Sequence, residues 1–430
     1  MHSPAGARPE ARSPPPAQIW WSNATFFVAT HIAAAVAVYL RPPSQVPRLT
    51  LLFMVVFWQA ASMGITVGYH RLYSHRAFRA TLPVRAFVAL LGASAFQGSI
   101  KWWCLRHRLH HRFTDDPAHD PYAATRGLFW SHMGWIFFKA RYERLESIDR
   151  GDLERDPVVR LQHKYYVPLA LITGFAFPPI IGKLWNDPVG SFVYAGLVAR
   201  LLIWHCTFLV NSLAHWDGLQ PYSDDNTSRT NLVLALLTCG EGNHNFVRTH
   251  HSFPHDFRSG PAPLDWDPSK WVILLLHSLG LASGLRRARV EEIRAARDYM
   301  LRKEITPPHT ETDDLGTTSG SGSGSEEDSE EWEGPIWTGA QLAEQASAEG
   351  RCILLLDGYA VDATEYLTEH PGGALLLRRY AIGGKAQKAD APTAGARPAR
   401  DADWAFHGGV NKHSQAARRR MRQLRVAKVG

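Results

Sequence analysis

Cysteine is scarce in this 430-residue chain. Only Cys104, Cys206, Cys239 and Cys352 are present, far apart and with no CxxC pair. That excludes a disulfide scaffold and a cysteine-bound zinc site as organising features. A strong charge of one sign is also missing. Lys and Arg number 47 against 40 Asp and Glu, a formal net charge of +7. So diffuse a surplus makes no case for nucleic acid as a partner. Residues 1–18, MHSPAGARPEARSPPPAQ, lack the basic start and apolar core of a secretory signal, and their Pro/Ala bias predicts disorder. What the chain has in excess is 21 histidines and 15 tryptophans. Histidine at that density directs attention to metal or haem ligands.

Four long apolar stretches follow the N-terminus, at about 22–40, 49–69, 165–184 and 190–212. Each approaches the ~20 residues that cross a bilayer core. The connections 41–48 and 185–189 are short, so the stretches pair into two hairpins. The segment 70–164 holds 16 basic and 9 acidic residues, while the two short connections and the stretch ends beside them hold only Arg41, Arg48 and Lys183. By the bias of basic residues this segment is cytosolic, and so are both termini. The runs 83–100 and 271–284 are too short or too mixed to span and read as interfacial. The fold class expected is an all-α membrane protein with four transmembrane helices and a cytosolic helical cap.

The histidines fall in clusters. His70 and His75 lie in GYHRLYSHRAF; His107, His110 and His111 in LRHRLHHRFTDDP; Asn211 and His215 in NSLAHW; His244, His250 and His251 in GEGNHNFVRTHHSFPHDF. All lie on the predicted cytosolic side. Residues three and four apart share a helix face, so His107, His110 and His111 can point one way. His70 and His75 sit about 140° apart on an α-helix and converge only if it bends or ends between them. Imidazole suits iron, zinc or copper. Nine histidines exceed what one ion takes, so two ions are expected, and few carboxylates stand nearby to favour magnesium or calcium. Outside the clusters, His31, His132, His163, His205 and His277 read as packing or surface residues.

The motifs HRLYSH, HRLHH, NSLAH and GEGNHN…HHSFPHDF, with DPYAATRGLFWSHMGW between them, resemble those of membrane acyl-CoA Δ9 desaturases, the fungal ones in particular. The resemblance covers about residues 20–300. It implies a centre of two non-haem irons held by His70, His75, His107, His110, His111, His215, His244, His250 and His251, with Asn211 acting through water. It implies that a saturated acyl-CoA of the palmitoyl or stearoyl class loses two hydrogens to O₂ in unsaturated fatty acid biosynthesis. Lys139, in WIFFKAR, stands where the family often has a basic residue for the CoA phosphates. The endoplasmic reticulum membrane is the expected location.

Residues 304–333 form an acidic Gly/Ser linker without apolar periodicity. Residues 334–430 carry EHPGG and HGGVNKHSQAA. These resemble the two haem-ligand segments of cytochrome b5, which implies a small α+β unit binding haem b through His370 and His413. His407 reads as a surface residue. A tethered haem unit supplies electrons in cis at raised effective concentration, fed by a cytochrome b5 reductase not encoded in this chain. The division is therefore a disordered 1–18, a membrane desaturase unit at 19–303, the linker, and the haem unit at 334–430.

Two departures from the family pattern stand out. The third box reads HNFVRTHH rather than HNxHH, so Val247, Arg248 and Thr249 look inserted. On a regular helix His251 returns to the face of His244 while His250 sits about 120° away. His255 is a possible substitute ligand. In the haem unit, 386–400 looks like an inserted Ala/Pro-rich loop. Both insertions read either as retained intron sequence or as genuine. The alternatives to the desaturase reading are a related di-iron lipid hydroxylase or desaturase, and a membrane haem electron carrier whose iron site the 247–249 insertion has impaired.

Overall fold

The computed structural model describes residues 18–139, 142, 144–248, 255–262, 265–305, 332–368, 370, 374–383, 401–407, 413 and 415–430. The expected disorder of the first 17 residues, most of the acidic linker, the 386–400 insertion, and His250 and His251 lie outside the described residues.

Four helices are long and apolar enough to cross a membrane: Trp21–Leu40, Arg48–Ser74, Tyr166–Trp185 and Pro188–Trp216. The second and fourth run beyond the stretches expected from hydropathy. Both contain π-helical turns, at Gly64–Ser74 and Phe192–Val198. The first of these carries the second span past its apolar stretch into the polar histidine segment. Their outward faces are apolar: Ile32, Val36, Leu52, Val56, Ile180 and Leu184 are all more than half exposed. So large an apolar surface is stable against lipid rather than water, which makes this a multi-pass membrane protein. The shorter apolar helix Leu82–Ser94 does not reach spanning length.

The second span packs closely on Leu82–Ser94. A Cβ on Gly64 would stand 2.3 Å from the Gly92 nitrogen, and one on Gly92 would stand 2.2 Å from the Tyr69 ring. At the end of the bundle away from the histidines, Asp187 joins the two hairpins. Its carboxylate accepts from Arg41 at 3.1 Å and from the Thr50 hydroxyl at 2.7 Å.

Beyond the spans, helices cap the histidine end. Ser99 caps Ile100–Arg112 by accepting from the Trp102 N–H, and Asp156 caps Pro157–Lys164 from below its Pro157. The largest core cluster lies between these helices and the second span, around Tyr69, Leu72, Cys104, Leu109 and Phe257.

The C-terminal unit is built on a four-stranded sheet. Its order is Ile336–Trp337, Arg425–Val429, Tyr359–Asp362, Ile353–Leu356; the first pair is parallel and the others antiparallel. Helix Gly339–Ser347 starts with a Thr338–Gln341 capping box. Leu354, Leu356, Val361, Leu367 and Met421 form a separate small core.

Candidate metal centre and the cavities beside it

The α-helical geometry that separates His70 from His75 does not apply here. Both belong to the π-helical end of the second span, where the His75 N–H reaches the His70 carbonyl five residues back at 2.9 Å. An i→i+5 turn stacks residues five apart, and π turns recur at functional sites. The Nε2 atoms of His70 and His75 consequently lie 2.9 Å apart, and His107 Nε2 lies 2.9 Å from that of His75. With His111 these form one group of four whose ligand atoms share a space a few ångströms across. His110 leaves its helix neighbours and joins His215 and His244 in a second group. The HRLHH run, expected to point one way, thus divides between two positions. The His110 and His215 ring centroids are 5.9 Å apart, those of His215 and His244 5.1 Å.

Each group is braced from behind. His110 Nδ1 donates to Asp120 at 2.6 Å, which leaves Nε2 as the ligating nitrogen. His215 Nδ1 donates to the Thr227 hydroxyl at 2.7 Å, and that hydroxyl donates to Asp115 at 2.8 Å. His70 Nδ1 faces Glu241 at 3.2 Å. Glu241 in turn accepts from Arg71 at 2.7 Å, and Arg71 also donates to Asp267 at 3.0 Å. Burial acts to raise the Glu241 carboxyl, but Arg71 and His70 outweigh it and hold it at about 2. The carboxylate is therefore held in its ionised form beside Arg71. Imidazoles oriented through Nδ1 by carboxylates or hydroxyls are what a metal-binding histidine requires. Seven of the nine expected histidines are thus brought together in two groups, and their donor set fits iron. His250 and His251 lie outside the described residues. His255 belongs to neither group: its Nδ1 binds the His75 carbonyl at 2.5 Å.

Sequence reasoning missed Glu241, Asp120, Arg71 and Thr227. The signal for Glu241 was an acid three residues before His244, and for Asp120 the acidic run after His111.

Two cavities meet the histidines from opposite sides. One, of about 580 Å³, is lined by Phe26, Phe27, Trp135, Trp204 and Phe208, and it ends on His70, His107, His110, His244 and Asn211. Its size is in the range of about 300–1,000 Å³ typical of small-molecule sites. In its wall Gln97 donates to Thr207 at 2.8 Å and accepts from the Trp103 indole at 3.3 Å. Lys139 lies nearby but outside the lining, exposed on a two-residue strand paired with Gln18–Ile19. The second cavity, of about 970 Å³, is lined by His75 and His111 on one side and by His370 and His413 of the C-terminal unit on the other. His413 stacks on Phe406 with centroids 4.3 Å apart and binds its carbonyl at 2.8 Å. His407 is exposed and pairs with Asp357 at 2.7 Å, as a surface residue would.

The sequence pattern of the Fatty acid desaturase family matches residues 46–257. The chain is 36% identical to acyl-CoA desaturase 1 of Saccharomyces cerevisiae over 88% of its own length and 68% of that protein. It is 34% identical to the probable acyl-CoA desaturase of Schizosaccharomyces pombe, over 96% of this chain and 79% of the relative. Similarity to the human stearoyl-CoA desaturase 5 is 36%, over 64% of this chain and 84% of that protein. The yeast matches thus cover a larger share of this chain than the human one does. With seven histidines gathered at the membrane end of four spans, these matches establish that the chain is a member of the acyl-CoA desaturase family.

Proposed function

We propose that the chain is a Δ9 desaturase of the stearoyl-CoA class, acting on saturated fatty acyl-CoA with O₂ and electrons supplied through its own C-terminal unit. The observation that carries this reading is the position of the histidine groups between two cavities. One cavity is walled by aromatic and aliphatic side chains and ends on four histidines and Asn211, as an acyl chain requires. The other joins His75 and His111 to the His370–His413 pair, as an electron route requires.

The two histidine groups would hold two non-haem irons, with His250 and His251 completing the set and Asn211 acting through water. Such a pair supplies the O₂-derived oxidant that unactivated methylenes need. The chain's own residues do the rest. Aromatic side chains exclude water and fix which methylene pair reaches the polar end. Glu241, Asp120 and Thr227 hold the imidazoles in one tautomer. Lys139, exposed near the cavity, would meet the CoA phosphates.

His370 and His413 face the second cavity beside Leu354, Leu356, Val361, Phe406 and Met421. Two imidazoles in an apolar slot fit a b-type haem, which His370 and His413 would hold and which would carry electrons. The linker at 304–333 tethers this cytochrome b5-like unit to the membrane unit at 19–303, and a cytochrome b5 reductase would reduce it. The four apolar spans support a lipid bilayer as the setting, and the reading takes the endoplasmic reticulum membrane as the location with both termini cytosolic.

The test is turnover by membranes bearing the full chain, given stearoyl-CoA, O₂, NADH and the reductase. Δ9 monounsaturated product supports the reading. A haem spectrum without product, and with fewer than two non-haem irons per chain, favours the electron-carrier alternative. A hydroxylated product favours the hydroxylase.

A further inference from the structure

The cavity between the two units has unlike walls. The C-terminal unit contributes His370, His413 and an apolar lining that includes Leu354, Leu356, Val361, Phe406 and Met421. Across from it the membrane unit contributes five arginines: Arg76, Arg108, Arg112, Arg155 and Arg286. Four of these are accounted for. Arg76 pairs with Asp149 at 2.9 Å and with Asp152 at 2.7 Å. Arg108 shares Asp152 at 2.7 Å. Arg155 and Arg286 are exposed to solvent.

Arg112 is different. It ends the helix Ile100–Arg112, directly after His111. Its Nη1 donates to the Ser147 carbonyl at 2.9 Å, while its Nη2 is buried with no hydrogen-bond partner among the described residues. Among them only Arg200 also buries a terminal guanidinium nitrogen without a partner. Arg112 forms no ion pair with a described residue. The other acids of this wall are engaged elsewhere: Asp115 accepts from Thr227 at 2.8 Å, and Asp116 faces His119 at 2.8 Å.

A buried guanidinium N–H is costly to leave without an acceptor, and the planar fork is matched by a carboxylate. The haem that His370 and His413 would hold is itself two-sided. Its macrocycle is apolar, and two propionate carboxylates leave one edge. The apolar wall suits the macrocycle. For the carboxylates that wall offers little: its one cation among the described residues is Arg420, which lies 5.6 Å over the Tyr366 ring. Polarity and charge therefore turn the propionate edge toward the arginine wall. We propose that Arg112 of the membrane unit binds a propionate of this haem, so that the two units complete one haem site between them. This rests on the haem half of the desaturase reading. The pairing makes Arg112 a positioning residue: it anchors the haem edge beside His111, its neighbour in sequence and a member of the group of four.

The test is the rate at which the full-length chain in detergent releases haem to excess apomyoglobin, followed by absorbance. Wild type and Arg112→Gln are made in a haem-deficient host. Each is loaded with iron protoporphyrin IX or with its dimethyl ester, which has no carboxylate to offer. Arg112→Gln should release the protoporphyrin about 10- to 100-fold faster than wild type, the scale of a hydrogen bond to a charged group. With the ester the two proteins should release at the same rate. Equal release of the protoporphyrin from both proteins overturns the proposal. So does a difference that persists with the ester, because Arg112 then acts through the fold and not through a carboxylate. If Arg112→Gln takes up no porphyrin, wild type alone decides: it must release the ester about 10-fold or more faster than the protoporphyrin, and equal rates overturn the pairing. Wild type that takes up neither porphyrin overturns the haem reading itself, and the pairing with it.

Discussion

Glu241 Oε2 stands 3.2 Å from Nδ1 of His70, and the same carboxylate is the buried partner of Arg71. One side chain therefore stands behind an expected ligand and neutralises a guanidinium that is almost fully buried. Glu241→Gln keeps the shape and removes the charge. Iron affinity should fall about 10–100-fold, as for other residues that orient metal-binding histidines. Iron per chain after graded chelation is the readout, with Asp120→Asn showing a similar loss. Haem content, set by the separate C-terminal core, should stay unchanged in both.

The contact between the second span and Leu82–Ser94 leaves no room for side chains at two glycines. Gly64 meets backbone of the neighbouring helix, which cannot swing aside as a flexible side chain could. Gly64→Val and Gly92→Val should each destabilise the fold by about 1–3 kcal/mol or more, the usual cost of overpacking. Thermal unfolding in detergent checks this. An unchanged midpoint would mean that the helices do not approach as described.

Asp187 is buried and holds Arg41, Thr50 and the Gly190 N–H together. Asp187→Ala removes the acceptor of the buried Thr50 hydroxyl, which keeps only the Trp185 indole as a partner, and removes one tie between the two hairpins. A loss of about 1–3 kcal/mol is expected, the cost of leaving a buried polar group unpaired. Because the site lies at the opposite end of the bundle, iron and haem content should be retained at low temperature. The melting midpoint alone should drop.

Arg200 presents the reverse case. It is fully buried in the fourth span, and its three guanidinium nitrogens have no hydrogen-bond partner among the described residues. Its nearest favourable contact is the Phe57 ring, 4.9 Å away. Arg200→Met removes an uncompensated buried charge while keeping the chain's bulk. The expected outcome is a melting midpoint equal to or above wild type, in line with apolar replacement of buried ions.

Much of the site was legible because its chemistry is concentrated in one residue type. Clusters of histidine just beyond apolar stretches place the centre at the membrane end of the helices, and seven of the expected ligands converge there. What could not be read was backbone periodicity. His70 and His75 look divergent on an α-helix, and only the π-helical turn brings their Nε2 atoms to 2.9 Å. The division of His110 from His107 and His111 was equally hidden, since it depends on Asp120 drawing His110 away. His31, His132 and His205 read as separate packing or surface residues, because the 3.0 Å contacts of His205 with His31 and with His132 join positions as far as 174 residues apart. The ends of the second and fourth spans were read short because hydropathy falls where the functional segments begin, although the helix continues.

The most direct test of the account is the fatty-acid profile of a desaturase-deficient host expressing the full chain. Δ9 monounsaturated C16 or C18 acids are the predicted result, lost in His110→Ala and in His215→Ala. With the protein present in membranes and loaded with two non-haem irons and haem, no Δ9 product in the chain as written, nor in a variant lacking Val247–Thr249, would contradict it.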